Sequence, residues 1–304
     1  MDSESVAVII PTYYRNKQLA AAIESVLRQT YDSIEIIVVD DSGEGHARPV
    51  GERFEDVRFI ERDENEGANA ARTVGAEATE SAYVQFLDDD DRLFPEKVER
   101  QVELLQNRDT CGVAYAGHEF ESGHIRRPTP GAEGDVLARA LRFELEACRT
   151  SSMLIDRDVL SAVLPLADRP GSDDIGIRIE LALRTHFAVT SDPLLVSGRS
   201  DDHRSRSWGA FHGRRQLLDE YADLYEDFPP AVRRKALAKT WVLAGVLYLE
   251  DAQWSPRAIA AFARSDWYTP DEHGKYLGRL LASLAGRPGL AAAHRVWRMD
   301  APRA

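Results

Sequence analysis

Four consecutive carboxylates, Asp88, Asp89, Asp90 and Asp91, follow directly on an apolar run that carries Ala82, Val84, Phe86 and Leu87. Nothing in strand packing asks for them. Adjacent like charges repel, so these either stand in water or are held together by a cation. Aspartates at i and i+2, where a strand hands over to a loop, can hold a hard divalent ion, Mg2+ or Mn2+, and leave positions open for phosphate oxygens. The plainer reading of such a run in an acidic chain is a solvated loop. Polar groups follow two other apolar runs in the same way: Thr12, Tyr13, Tyr14 and Arg15 after residues 6–10, and Asp40, Asp41 and Ser42 after residues 34–39.

The elements that would position these groups are legible as runs. Residues 6–10 are β-branched and apolar and end at Pro11; 34–39, 57–60 and 82–87 are three more such runs. Between them, Leu19, Ala20, Ile23, Val26 and Leu27 have helical spacing behind a capping Asn16, and the Ala-rich segment 67–79 predicts a second helix. Pro95 opens a third over 95–107, with Val98, Val102 and Leu105 on one face. Continuous apolar runs alternating with helices predict an α/β fold with a mainly parallel sheet covered on both faces. In such a sheet ligands bind beyond the C-terminal strand ends, where all three polar groups fall. Further on, the pattern predicts strands at 112–116 and 151–155, an edge hairpin at 118–127, helices at 136–147 and 173–186, and short strands at 189 and 194–196. From residue 211 only helical segments remain, divided at Pro229, Pro230, Pro256, Pro270 and Pro288. The expected organisation is a domain over 1–226 and an all-α module over 227–304.

At 304 residues the chain exceeds the usual size of one domain. A net charge of -13 argues against nucleic acid, or an anionic membrane, as the main partner. Only five of its 38 basic residues are lysine, and this acidic, lysine-poor composition suits a cytoplasm rich in salt. Cys111 and Cys148 make neither a disulfide framework nor a zinc spacing, so reduced thiols are expected. The start Met-Asp-Ser-Glu lacks the basic region of a signal peptide, and the apolar stretch 241–249 is too short to span a bilayer. These features predict a soluble cytoplasmic protein without a transmembrane segment, with at most a peripheral association at the cytoplasmic face of the membrane through a bound ligand or a partner protein.

Five segments stand out: Val-Ile-Ile-Pro-Thr-Tyr-Tyr-Arg at 8–15, Ile-Ile-Val-Val-Asp-Asp-Ser at 36–42, Asn-Glu-Gly-Ala-Asn-Ala-Ala-Arg at 65–72, Phe-Leu-Asp-Asp-Asp-Asp at 86–91 and Pro-Glu-Lys at 95–97. In this order and spacing they resemble glycosyltransferase family 2, inverting enzymes with a GT-A fold. The resemblance is strong over 6–107 and fades by about 205. It implies that Pro11, Thr12, Tyr13, Arg15, Asp40, Arg72 and Asp88, with Asp89 beside it, lie along a UDP- or GDP-sugar. The family usually has Asn where Tyr14 stands. It also implies an Asp-x-Asp motif in which Asp88 and Asp90 hold Mg2+ or Mn2+; Asp89 and Asp91 then read as solvated neighbours. Arg72 as a helix-surface residue and Asp41 as a cap are the plainer readings there.

Transfer to a hydroxyl needs a general base, which the family places in an acidic pair ahead of a helix. The matching pair is Asp173-Asp174, with Asp174 the first choice; helix capping and favourable first-turn charge are the alternative. The resemblance also implies a basic or histidine-bearing loop that closes over the diphosphate, which points to His203 as a metal or phosphate ligand, or else as a plain loop residue. The function implied is sugar transfer from a nucleotide donor to a glycan or lipid-linked acceptor. A non-catalytic nucleotide-sugar-binding scaffold with a partner-binding helical tail is one alternative. A sugar nucleotidyltransferase is another, although it expects glycine in the loop after the first strand, and residues 11–17 have none.

Overall fold

The computed structural model describes residues 4–198, 204–269 and 273–299. The chain divides into two compact units: one of 1–140, 144–168 and 173–202, the other of 141–143, 169–172 and 203–304.

The first unit carries a nine-stranded sheet. Its strands are β1 (Val6–Thr12), β2 (Ile34–Asp40), β3 (Val57–Glu61), β4 (Tyr83–Phe86), β5 (Arg92–Leu93), β6 (Cys111–Phe120), β7 (Ile125–Arg126), β8 (Met153–Asp156) and β9 (His186–Ser197). The order is β3-β2-β1-β4-β8-β6-β9-β5, with β7 on β6. β1 pairs in parallel with β2 and β4, and β2 with β3. β8 runs antiparallel to both β4 and β6, so β6 and its parallel neighbour β9 point the same way as β4. The C-terminal ends of β1, β2, β4, β6 and β9, and the N-terminal start of β8, therefore share one edge. This is the mainly parallel, mixed α/β sheet that the runs predict.

Burial explains the runs. All seven residues of β1 are buried, as are the last five of β2, because helices cover both faces. The helix Asn16–Val26 turns Leu19, Ala20, Ala22, Ile23 and Val26 inward. Leu19, Ile23 and Val26 each contribute about 1.5–3 kcal/mol by leaving water, and the two alanines less. The helix Ala68–Glu77 approaches so closely that a Cβ on Gly75 would meet Ile9 Cγ2 at 2.3 Å.

Several local expectations change. The helix expected over 136–147 spans only Leu137–Leu141, and the strands expected at 189 and 194–196 are one strand, β9, with irregular register against β6. Asn16 caps nothing; its amide holds His46 instead, through the His46 carbonyl at 3.0 Å and ring Nδ1 at 3.1 Å.

The second unit is helical: Trp208–Glu220, Ala231–Asp251, Pro256–Trp267, His273–Leu284 and Gly286–Met299 are its longer helices. Ser207 and Ser255 cap two of them, accepting from the amides of Ala210 and Ala258. Leu249, Ala258, Phe262 and Leu290 form a buried cluster, with Val242, Val246, Tyr248, Leu280 and Ala282 packed on it. The helix Trp208–Glu220 belongs to this unit, which thus takes in chain ahead of the expected boundary at 227.

Candidate active site

The site is built where β1, β2 and β4 end. Beyond β4 the chain turns at once, the Asp91 amide donating to the Asp88 carbonyl at 3.0 Å, and the four carboxylates fan out to different partners. Asp88 Oδ1 accepts from Arg72 Nη2 at 2.5 Å. Asp89 accepts from Thr12 Oγ1 at 2.9 Å and from Arg15 Nη1 at 3.1 Å. Asp90 has Arg15 Nη1 at 3.5 Å. Asp91 Oδ1 accepts the Gly198 amide at 2.9 Å, while its Oδ2 is buried without a hydrogen-bond partner.

Asp89 and Asp91 are therefore not solvated neighbours: both side chains are buried. The reason is topological, since the loop is folded back between β4 and β5, against the end of β9. Gly198 is required there, because a Cβ would stand 1.9 Å from the Asp90 carbonyl oxygen.

Charge on this loop is shared unevenly. Burial pushes the Asp88 carboxyl up, yet Arg72 and Arg149 outweigh it and hold Asp88 below its usual range. Burial and the neighbouring Asp88 and Asp89 raise Asp90, and burial raises Asp91 to about 6. Asp88 and Asp90 keep oxygens free of strong protein partners on side chains that stay partly exposed, at 27% and 14%, whereas the unpartnered oxygen of Asp91 is buried. Among the described residues no group of three or more His, Cys, Asp or Glu is arranged to hold a metal. Two carboxylates with open oxygens nevertheless suit Mg2+ or Mn2+, which take one or two carboxylates and complete their shell with water and phosphate.

The flanking groups have distinct tasks. Asp40 is buried and accepts the amides of Ser42 at 3.0 Å and Ala47 at 2.7 Å, shaping the loop after β2. Asp41 accepts the amides of Glu66 and Gly67, at 3.3 and 2.8 Å, and Arg62 Nη1 at 2.5 Å. It thereby caps the approach to the helix Ala68–Glu77, whose Gly67 has φ +94°, a conformation that favours glycine. That helix aims Arg72 at Asp88; Arg72 is 6% exposed, so it is not a surface arginine, and its Nε has no partner. Pro11 is buried in β1, whereas Tyr13 and Tyr14 project at 47% and 44% exposure. Tyr14 packs on His46 and on Tyr13, each at 4.6 Å between ring centroids.

The acidic pair opens the helix Asp173–Ala182. Asp174 Oδ2 accepts from Arg178 Nη2 at 3.0 Å, and Arg178 donates onward to the carbonyls of Leu145 and Cys148. That segment runs into Arg149, Thr150 and Ser151. Ser151 Oγ accepts the Asp88 amide at 3.0 Å, and the Arg149 guanidinium donates to Ser197 Oγ. Although burial opposes its charge, Asp91, Asp88, Asp174 and Asp90 together raise the Arg149 pKa. One guanidinium thus lies in the field of both the carboxylate loop and the acidic pair.

The structure thus gathers Thr12, Arg15, Arg72, Asp88, Asp89 and Asp90 into one network and ties Asp174 to it through residues 145–151. Asp173 lies on the same helix turn. His203 lies outside the described residues. Arg149 and Ser151 escape a reading of the sequence, because only the antiparallel course of β8 brings their segment to this edge; Arg178 escapes it although it lies four residues after Asp174 on the same helix, a spacing at which side chains meet.

Comparison with known proteins bears on the family and the fold. The model for glycosyl transferase family 2 matches residues 7–164, over half of the chain. An uncharacterized glycosyltransferase of Haemophilus influenzae is 31% identical over 110 residues, which are 36% of this chain and 37% of that protein. The chain spans only 17–62% of the length of such relatives. Among solved structures, S. aureus TarS 1-349 in complex with UDP-GlcNAc superposes with a TM-score of 0.64 at 16% identity, covering 97% of this chain and 92% of that one. The mannosyltransferase PcManGT from Pyrobaculum calidifontis, in complex with GDP-Man and Mn2+, gives 0.54 at 17% identity, covering 98% and 88%. At these identities the likeness establishes the fold, a GT-A-like sheet followed by C-terminal helices. From the match of its family model, the chain belongs to glycosyl transferase family 2.

Proposed function

We propose that the protein transfers a sugar, with inversion, from a UDP- or GDP-linked donor to a hydroxyl of a glycan or lipid-linked acceptor. The observation that carries this reading is the convergence on Asp88 and Asp90, the two carboxylates with open oxygens, of Arg15 from the end of β1 and Arg72 from the helix after β3. The diphosphate would lie against these arginines and Arg149, whose charge opposes the negative charge that develops on the leaving group. Tyr13 and Tyr14 offer exposed ring surface for the base. Asp88 and Asp90 would hold Mg2+ or Mn2+, which when bound supplies Lewis-acid stabilisation of the same diphosphate.

Asp174 has one oxygen engaged by Arg178 and the other without a strong partner. It takes the proton of the acceptor hydroxyl as that oxygen bonds to the anomeric carbon. The bond from this carbon to the diphosphate oxygen breaks on the opposite face, and its electron pair leaves with the nucleoside diphosphate. The neighbours bound to UDP-GlcNAc and to GDP-Man with Mn2+ support the donor class without choosing the base.

Calorimetric titration with UDP and GDP, each with and without Mn2+, tests the donor assignment. Binding that depends on Mn2+ and is lost in Asp90→Ala is expected; binding indifferent to both defeats the metal assignment. Asp174→Asn should abolish transfer and leave nucleotide affinity within about three-fold. Full activity in that variant would move the base elsewhere.

A further inference from the structure

The helix His273–Leu284 has two apolar faces. One, with Tyr276 and Leu280, turns inward, and Leu280 packs on the cluster around Leu249 and Phe262. The other carries Leu277, Leu281 and Leu284, spaced i, i+4, i+7 and exposed at 40%, 57% and 56%. Trp254, itself 55% exposed, adjoins its end, with its indole Nε1 donating to the Leu284 carbonyl at 3.1 Å. A helix that is apolar on an outward face as well as an inward one has something else to cover it.

Charge identifies the cover. Residues 273–304 contain six Lys or Arg and a single acid, Asp300, so this stretch carries +5 in a chain of -13, and the remainder carries -18. The whole-chain charge hides this reversal. The helices His273–Leu284 and Gly286–Met299 contain no acidic residue; Lys275, Arg279 and Arg287 flank the leucine stripe in sequence, and Arg287 is exposed. A two-fold contact between copies through this face would set cations against the same cations. An anionic lipid surface has both complements: headgroups for the arginines, and an acyl boundary for the leucines and the indole.

We infer that the face of Leu277, Leu281, Leu284 and Trp254 docks in the interface of an anionic membrane. It would do so without spanning it, as no helix among the described residues is long and apolar enough to cross. This inference is independent of the transfer reaction proposed above.

Flotation of the full chain with phosphatidylcholine vesicles, with and without phosphatidylglycerol, tests it. Partitioning should be at least about ten-fold stronger onto the anionic vesicles and should weaken as NaCl is added. Leu277→Ser combined with Leu281→Ser should lower it at least about ten-fold. Because both side chains are exposed, the tryptophan-monitored melting temperature should be retained. Arg287→Gln, a surface change, should lower the preference for phosphatidylglycerol and serves as a second probe should the leucine variant unfold. Equal partitioning onto both vesicles overturns the inference. So does partitioning unchanged by the leucine substitutions, or a dimer that these substitutions dissolve in a protein that binds no vesicles.

Discussion

Lys97 is fully buried, and its amine donates to Oε1 of Gln85 and Oε1 of Gln101, both buried amides. No carboxylate is among these partners. A neutral amine has two hydrogens for two acceptors; an ammonium would bring a third hydrogen and an uncompensated charge. Burial accordingly drives the Lys97 pKa well below 10.5. With the folded pKa depressed, the unfolded chain binds the extra proton between that value and about 10.4, so stability rises with pH across this window. One proton corresponds to about 1.4 kcal/mol per pH unit, hence up to about 2.7 kcal/mol from pH 7.5 to 9.5. Lys97→Met removes the ionisation. It also leaves two buried amide oxygens unpaired at roughly 1–3 kcal/mol each, a constant offset that does not tilt with pH. Cys148, whose thiol burial raises to about 12, acts with the opposite sign above pH 8.5, but equally in both proteins. Urea unfolding at pH 7.5, 8.5 and 9.5 should therefore give a wild-type stability that rises with pH more steeply than that of Lys97→Met, by at most about 1.4 kcal/mol per unit. All five tryptophans lie at 208 or beyond, so the sheet unit is followed by far-ultraviolet circular dichroism rather than indole fluorescence. Parallel pH dependences would mean that the amine stays charged, and the argument from its two acceptors would fail.

The loop and the acidic pair give further tests. Gly198→Ala forces a Cβ onto the Asp90 carbonyl at 1.9 Å and disturbs the amide that Asp91 accepts, so nucleotide affinity should fall at least about ten-fold by calorimetry. Unaltered affinity would show that the loop yields freely. Arg178→Gln releases Asp174 while its helix still has Ile177, Ile179 and Leu181 buried; kcat should fall about a hundred-fold with donor KM changed less than about three-fold, and the pH profile of kcat should shift. A loss expressed in donor KM alone would place Arg178 in nucleotide binding instead.

The sheet was legible because burial on both faces writes each strand as an unbroken apolar run. Thr12, Asp40 and Asp88 could be placed on one edge from that alone, as residues that end parallel strands. Two kinds of information were not local. The carboxylates Asp89 and Asp91 look identical to Asp88 and Asp90 in sequence, and only the fold of the loop under Gly198 decides which are buried. Arg149 sits in a stretch without motif, and reaches the site because β8 enters the sheet against the direction of β4; Arg178 was legible only as a residue four after Asp174, a spacing that allows their contact without announcing it. The strand β9 was broken in two by Asp192 and Pro193, polar and turn-forming types that the sheet accommodates as irregular register beside β6.

Tyr14 has φ +55°, in the left-handed region where asparagine is at ease and a bulky aromatic is not. An asparagine would adopt this conformation with less strain, and a tyrosine here costs the fold about 1 kcal/mol or more through its backbone. What it obtains is a ring held between Tyr13 and His46, with His46 itself moored by Asn16. An asparagine at this position would relax the backbone and strip the rim of its ring, so a sturdier fold and a barer rim come together.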